Sequence, residues 1–271
     1  LSACSSDLPS RSQLADARIL AVIAEPLEIA PGESVSLRPV TWTPPGDAVA
    51  AHEWRFCPFT LGAASGYACA LPACEVALVP AADGAVTADP LALAQQCLAT
   101  AAAAGGTAPE GIPSEIPDRV ELAFRYRVTT TAGTVRDAVA LVPFYARGVP
   151  VPRNLSPVIE RVEIGGIALA PGGEGPPLRA GAELELRVVL DPASAQPYTD
   201  LLGAPAVEAL VVSFFATAGK LDGDRADGPD ARQILKGEDL GADAAAEVWV
   251  VARDLRGGQA VSGPYRVPIA R

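Results

Sequence analysis

The residue types best suited to chemistry are few and lie close together. The chain has one histidine, His52, and four clustered cysteines, Cys57, Cys69, Cys74 and Cys97. A hydrolytic triad would have to use His52, and no serine sits in a Gly-x-Ser-x-Gly turn, so His52 reads as a strand-end residue rather than a base. The cysteine gaps of eleven, four and twenty-two residues are unlike the tight pairs of zinc knuckles, and disulfides are the expectation. Three pairings are open, of which Cys57–Cys69 with Cys74–Cys97 is preferred. Asp222, Asp224 and Asp227 lie in the run Asp222-Gly223-Asp224-Arg225-Ala226-Asp227-Gly228-Pro229-Asp230 and form a calcium candidate, because hard cations take several oxygens from one turn. The run departs from an EF-hand loop: Ala226 holds the fifth position, Asp227 the glycine position and Gln233 the closing one. Asp and Gly also suit any solvated hairpin loop. Trp42, Trp54 and Trp249 could stack on a sugar, although Trp54 reads as a core residue. Ala103-Ala104-Gly105-Gly106 has neither the strand nor the lysine of a phosphate loop, and no carboxylate pair is fixed by spacing. An enzyme is therefore not expected, and no cofactor beyond calcium is.

Charge narrows the partners. With 21 Lys and Arg against 32 Asp and Glu, the formal charge is -11, which argues against nucleic acid. No uninterrupted apolar run approaches the roughly 18 residues of a membrane-spanning helix. An odd fifth cysteine, Cys4, calls for a separate fate. Leu1-Ser2-Ala3-Cys4 resembles the lipobox of bacterial lipoproteins: a leucine, two small residues, then the cysteine. The resemblance implies a signal peptide removed before Cys4, acyl chains on that residue and attachment to a membrane. Ser5 rather than Asp after the cysteine implies the outer membrane by the sorting rule of enteric bacteria, with the membrane face undetermined. Ser5 to Gln13 is polar and turn-rich, as a tether would be.

The elements that must position these residues are short strands. Val35 and Leu37 alternate with polar neighbours. Leu122, Phe124, Tyr126 and Val128 alternate with Glu121, Ala123, Arg125 and Arg127, and Leu184, Leu186, Val188 and Leu190 do the same. Period two with one wet face indicates antiparallel sheets. The two halves share a plan. Arg18–Val22 and Val158–Val162 open them, a glycine turn and an alternating strand follow, then the aromatic strands Glu53–Phe56 and Val212–Phe215. Closing hairpins turn at Ala132-Gly133 and at Arg256-Gly257-Gly258.

With Pro31-Gly32-Glu33-Ser34-Val35-Ser36-Leu37 and Val250-Val251-Ala252-Arg253-Asp254-Leu255-Arg256-Gly257-Gly258, the chain resembles the tandem immunoglobulin-like, PKD-type domains of bacterial surface proteins. In that family an Asp ahead of Gly-Gly closes the last hairpin. Thr131-Ala132-Gly133 departs from the pattern, lacking the Asp and one Gly.

The expected architecture is all-β, with two immunoglobulin-like β-sandwiches in tandem. Residues 1–16 are the lipobox remnant and flexible tether, 17–146 the first sandwich, 147–157 a stiff proline-rich linker and 158–271 the second sandwich. Residues 57–117 read as a disulfide-stapled insertion with one helix: Asp89 caps it, Pro90 suits its first position, Leu91–Ala104 form it and Gly105-Gly106 stop it. That insertion is the expected binding surface. The expected function is a non-catalytic binding, adhesion or scaffold lipoprotein of the envelope whose partner is an envelope protein or glycan. The alternative is a glycan-binding accessory of a surface polysaccharide system, and a carboxylate-based hydrolase ranks below both.

Overall fold

The computed structural model describes residues 11–103, 117–150, 152–200, 203–241 and 244–270. Two compact units result. One holds the described residues of 17–156 with Arg256–Gln259, and the other holds 11–16 with the described residues of 157–255 and 260–270.

The first unit is a sandwich of seven strands: β1 (Arg18–Glu25), β2 (Val35–Trp42), β3 (Val49–Cys57), β4 (Val76–Leu78), β5 (Val86–Ala88), β6 (Arg119–Thr130) and β7 (Val135–Tyr145). One sheet has the order β1-β2-β5, and the facing sheet runs β4-β3-β6-β7. After β1 the chain crosses to the second sheet, where Ile29 pairs parallel with Phe144 of the last strand. This is immunoglobulin-like topology. It forms because the inward positions of the alternating strands are large and apolar. Val35, Leu37, Phe56, Phe124 and Val128 are fully buried, and Trp54 and Tyr126 nearly so. Each such side chain contributes roughly 1.5–3 kcal/mol when removed from water. Trp54 also donates its indole N–H to the Gly84 carbonyl at 2.8 Å.

Residues 57–117 carry the expected helix, α1 (Pro90–Ala103), and the Asp89 carboxylate accepts from the Ala92 N–H at 3.0 Å as its cap. The predicted stop at Gly105-Gly106 lies outside the described residues. The same segment also supplies β4 and β5, so it builds the sandwich as well as decorating it. No described helix is long and apolar enough to cross a membrane.

The second unit repeats the plan. Its strands are β8 (Ile159–Ile164), β9 (Ile167–Leu169), β10 (Leu178–Arg179), β11 (Glu183–Leu190), β12 (Pro197–Thr199), β13 (Pro205–Val207), β14 (Val211–Ala216), β15 (Lys220–Leu221), β16 (Arg225–Asp227), β17 (Asp230–Lys236), β18 (Ala245–Arg253) and β19 (Gln259–Ala270). The sheets run β15-β17-β11-β8-β9 and β10-β19-β18-β14-β16, while β12 and β13 form a separate hairpin. Here too an early segment, β10, pairs parallel with the last strand. Leu186, Val188, Leu190, Val212, Phe214, Val248, Val250 and Val267 fill the core.

Residues of the expected tether and of the expected stiff linker make specific contacts. Residues 12–14, placed within the flexible tether, are built into the second unit. The Leu14 N–H donates to the Ala216 carbonyl at 2.9 Å, and the Ala216 N–H to the Ser12 carbonyl at 3.0 Å. Buried Leu14, 2% exposed, is the apolar residue that makes this docking favourable. In the proline-rich linker, Arg153 pairs with Glu33 at 2.5 Å, and the Asn154 N–H donates to buried Glu28 at 3.1 Å. Those residues are fastened to the first sandwich.

The first closing hairpin, which lacks its own Asp, borrows one. The Asp47 carboxylate, from the turn between β2 and β3, accepts from the Ala132 N–H at 2.9 Å, the Thr131 hydroxyl at 2.8 Å and the Ala48 N–H at 2.9 Å. Hydrogen bonding from Thr130 foremost, then from Ala132, Thr131 and Ala48, holds its pKa down at about 2, against the opposing effect of desolvation. A carboxyl depressed in the folded state contributes stability above its ordinary range and loses it as pH falls. Asp47→Asn should therefore be less stable than the parent chain at neutral pH, and the deficit should close as pH drops through about 2, as followed by denaturant midpoints.

Gly84 is a second tight point. Its φ is +82°, and a Cβ there would lie 2.5 Å from Nδ1 of His52. Gly84→Ala should cost about 1–3 kcal/mol, read as a lower melting temperature.

Candidate functional site

The outer face of β4-β3-β6-β7 gathers more chemistry than the sequence alone displays. The register sets Arg55 directly opposite Arg125 and Glu53 opposite Arg127. On the far side Arg127 faces Asp137, and Arg125 faces Val139. Glu53, Arg55, Arg125, Arg127 and Asp137 line a shallow depression there.

Two guanidinium groups directly across a strand pair repel each other. Here Glu75 lies over both: Arg55 Nη1 donates to one of its oxygens at 3.3 Å and Arg125 Nη1 to the other at 2.8 Å. Glu75 follows Cys74, which ends a short 3-10 turn (Pro72–Cys74) and is bonded to Cys97 of α1. Both of these cysteines are buried. The staple thus fixes the position from which Glu75 reaches the arginines. In the next row Arg127 grips Asp137 with two nitrogens, at 2.8 and 3.2 Å, and that contact raises its already high pKa.

Exposure keeps these groups available. The side chains of Arg55, Arg125 and Arg127 are 49%, 38% and 49% exposed. Among the described residues, Arg55 and Arg125 each donate to Glu75 through Nη1. The outer face of the second sandwich differs. There Arg187 gives Nε and Nη2 to Asp230 and Nη1 to Glu163, so each of its three nitrogens is engaged. Those contacts push the Asp230 carboxyl well below the usual range.

The second disulfide is Cys57–Cys69, so the preferred pairing of the four clustered cysteines is the one found. Cys57 and Ala123 lie opposite each other on this outward face, yet both are fully buried. Outward alternation therefore stops being wet where the stapled segment begins. Cys4 lies outside the described residues.

His52 is tied to the first core. Its Nδ1 lies 2.6 Å from the hydroxyl of buried Tyr126, the two rings stack, and burial lowers its pKa while Asp83 opposes the shift. The three aspartates of the calcium candidate are not brought together. Asp222 pairs with Lys236 at 2.5 Å, Asp224 with Arg225 at 3.8 Å, and Asp227 stands on β16 opposite Val211. Among the described residues, no group of three or more His, Cys, Asp or Glu could hold a metal ion. Only Asp227 of the three stands on a strand, and ion pairs with Lys236 and Arg225 engage the other two. Of the tryptophans, Trp42 and Trp54 are buried. Trp249 is half-buried, and its Nε1 is buried with no partner among the described residues.

Glu75 was not foreseen. The only signal was that it follows a cysteine in a segment expected to be stapled.

No protein-family model matches the chain, and no curated protein matches it by sequence. Among solved structures, it is similar to the fibronectin(III)-like modules of Clostridium thermocellum CbhA, at 10% identity and TM-score 0.29, covering 93% of this chain and 96% of that one. The N-terminal Ig1-2 module of the Drosophila receptor protein tyrosine phosphatase DLAR gives 10% identity and TM-score 0.29, over 94% and 100%. The D0-D1 domain of intimin gives 12% identity and TM-score 0.23, over 93% and 96%. At TM-scores this low, the likenesses carry no argument about function.

The Cys74–Cys97 bond joins residues 23 positions apart. Replacing both by serine should cost about 3 kcal/mol. It should also make Arg125 react faster with a guanidine-directed reagent such as a dicarbonyl, as mapped by mass spectrometry, because Glu75 is no longer held over it.

Proposed function

We propose that the chain is a non-catalytic binding or scaffold module of the bacterial cell envelope, held to a membrane through an acylated Cys4. The observation that carries this reading is the assignment of the reactive side chains to structure. All four clustered cysteines are in disulfides, the single histidine is tied to a core tyrosine, and the aspartate run is divided among ion pairs and a strand. What the sandwiches leave open is surface. Disulfides of this kind persist outside the reducing cytosol, in keeping with export. The lipobox-like Leu1-Ser2-Ala3-Cys4 supplies the anchor, with Ser5 favouring the outer membrane. More than one acyl chain gives durable attachment without any apolar protein surface. PKD-type kinship belongs to the same reading. Asp254 is 1% exposed ahead of a turn in which Leu255 and Gly257 adopt positive φ.

The glycan-binding alternative gains little support, since its stacking platform needs open aromatic faces and two of the three tryptophans fill the interior.

Expressed in a bacterium behind a lipoprotein signal peptide, the chain should incorporate labelled palmitate and sediment with membranes. Cys4→Ala should label at background and remain in the soluble fraction. Equal labelling of the two would overturn the anchor.

A further inference from the structure

The sheet β4-β3-β6-β7 has one long edge that the first sandwich leaves open. β7 pairs with β6 from end to end without a bulge, Val135 facing Thr129 and Tyr145 facing Arg119. On its other side the backbone meets Ile29, whose N–H donates to the Pro143 carbonyl at 3.0 Å and whose carbonyl accepts from the Tyr145 N–H at 2.9 Å. Successive residues of an antiparallel ladder turn their N–H and C=O alternately to the two sides, so the odd-numbered residues of β7 point away from β6. Among the described residues, the one other group that meets this edge is Arg136 Nη1, which donates to the Val135 carbonyl. Asp137, Val139 and Leu141 therefore present both backbone groups to an unpaired edge. Residues 135–141 hold no proline and no bulge, two of the usual devices that keep an edge from pairing.

We propose that this edge pairs antiparallel with the same edge of a second copy, so that two four-stranded sheets become one of eight strands. Such pairing sets odd residues opposite odd residues, and the open run then selects its own two-fold centre. Centring on Asp137 puts two aspartates directly opposite each other and Leu141 against the turn residue Gly133. Centring on Val139 brings Val135 against Pro143, which has no N–H and whose carbonyl Ile29 already holds. Centring on Ala138 uses the whole of 135–141 and nothing beyond it. Val135 then meets Leu141 of the other copy, Asp137 its Val139 and Arg136 its Ala140, while Ala138 faces its own equivalent on the axis. No like charges stand directly opposite. The two Asp137 carboxylates take diagonal positions, each already gripped by its own Arg127. Alanines at 138 and 140 leave room at the seam, and Val135, 44% exposed, gains an apolar neighbour. One Arg and one Asp are the charges of the run, so the chain's overall -11 is not concentrated there. A run matched from end to end by its own reverse singles out a second copy among extended partners, and the isologous contact closes at two chains. The proposal deepens the binding-module reading by naming a partner, and it rests on that reading. Palmitate uptake reports the anchor alone, so the two can fail separately.

Sedimentation velocity over a concentration series tests it on the full chain carrying Cys4→Ala, whose remaining cysteines are all in disulfides. The parent should show a reversible monomer–dimer equilibrium. Val139→Pro removes an N–H that faces away from β6, and edge strands tolerate proline where that side meets solvent. The variant should keep its β-rich spectrum and associate about tenfold or more weakly, because each copy loses one bond across the seam. Cysteine substitution reads the register without depending on that variant. Facing residues bring their Cβ atoms about 4.5–5.5 Å apart. Ala138→Cys chains incubated with oxidised glutathione should therefore form a linked dimer, two protein thiols becoming one disulfide as the glutathione is reduced. Arg136→Cys sets the two sulfurs four residues apart along the seam, about 13 Å, and should stay largely unlinked. A parent that remains monomeric to its solubility limit leaves the edge to some other extended segment and overturns the proposal. A dimer indifferent to Val139→Pro, or equal cross-linking of the two cysteine variants, would do the same.

Discussion

The pairing of β3 with β6 through their inward aromatic side chains is the constraint on which the rest of the first sandwich depends. Trp54 stands opposite Tyr126 and Phe56 opposite Phe124, with ring centroids 4.7 and 5.0 Å apart. Each such pair adds about 0.5–1.5 kcal/mol beyond the area it buries. A slip of one residue would turn both rings of the slipping strand to water. The register is therefore pinned from inside, and the outer face has no say in it. Arg55 must then face Arg125 and Glu53 must face Arg127, whatever electrostatics would choose.

Several features follow as responses to that imposed arrangement. Two arginines forced opposite each other need a shared counter-ion, and neither strand offers one at the right height. It comes from Glu75, carried in by a turn that a disulfide holds to α1. The energies set the order of cause. Exposed ion pairs contribute roughly 0–1 kcal/mol each, whereas a single buried aromatic outweighs several of them. The charges therefore do not hold the sheet together. The sheet holds the charges in a fixed pattern, which is what recognition needs. Asp47 shows the same logic at the end of the sandwich. Without an acid in its own sequence, the turn of the last hairpin is tied down by one from the preceding β2–β3 turn.

What could be read from the residues was whatever repeats locally. Strands of eight to twelve residues with clean alternation, such as β6, β11 and β18, announced themselves, as did the Asp89-Pro90 start of α1. β4 and β5, three residues each, are too short to show a period, and their place is decided by partners rather than by composition. Glu75 reaches Arg125 across 50 residues and Asp47 reaches Thr131 across 84, distances at which no local pattern points to a partner. The aspartate run erred in the opposite direction. Nearness in sequence suggested a shared site, but strand geometry and neighbouring basic residues separated its members.

The contrast between the two outer faces carries the last step. Both bear arginines amid carboxylates, and counting charges would treat them alike. In the second sandwich, Arg187 engages all three of its nitrogens with Asp230 and Glu163, and those acids also take Arg232 and Arg161. In the first, two arginines share one acid. Each gives one nitrogen to it. Which side chains share a row on the first face was set by the aromatic rings that met on the other side of the sheet.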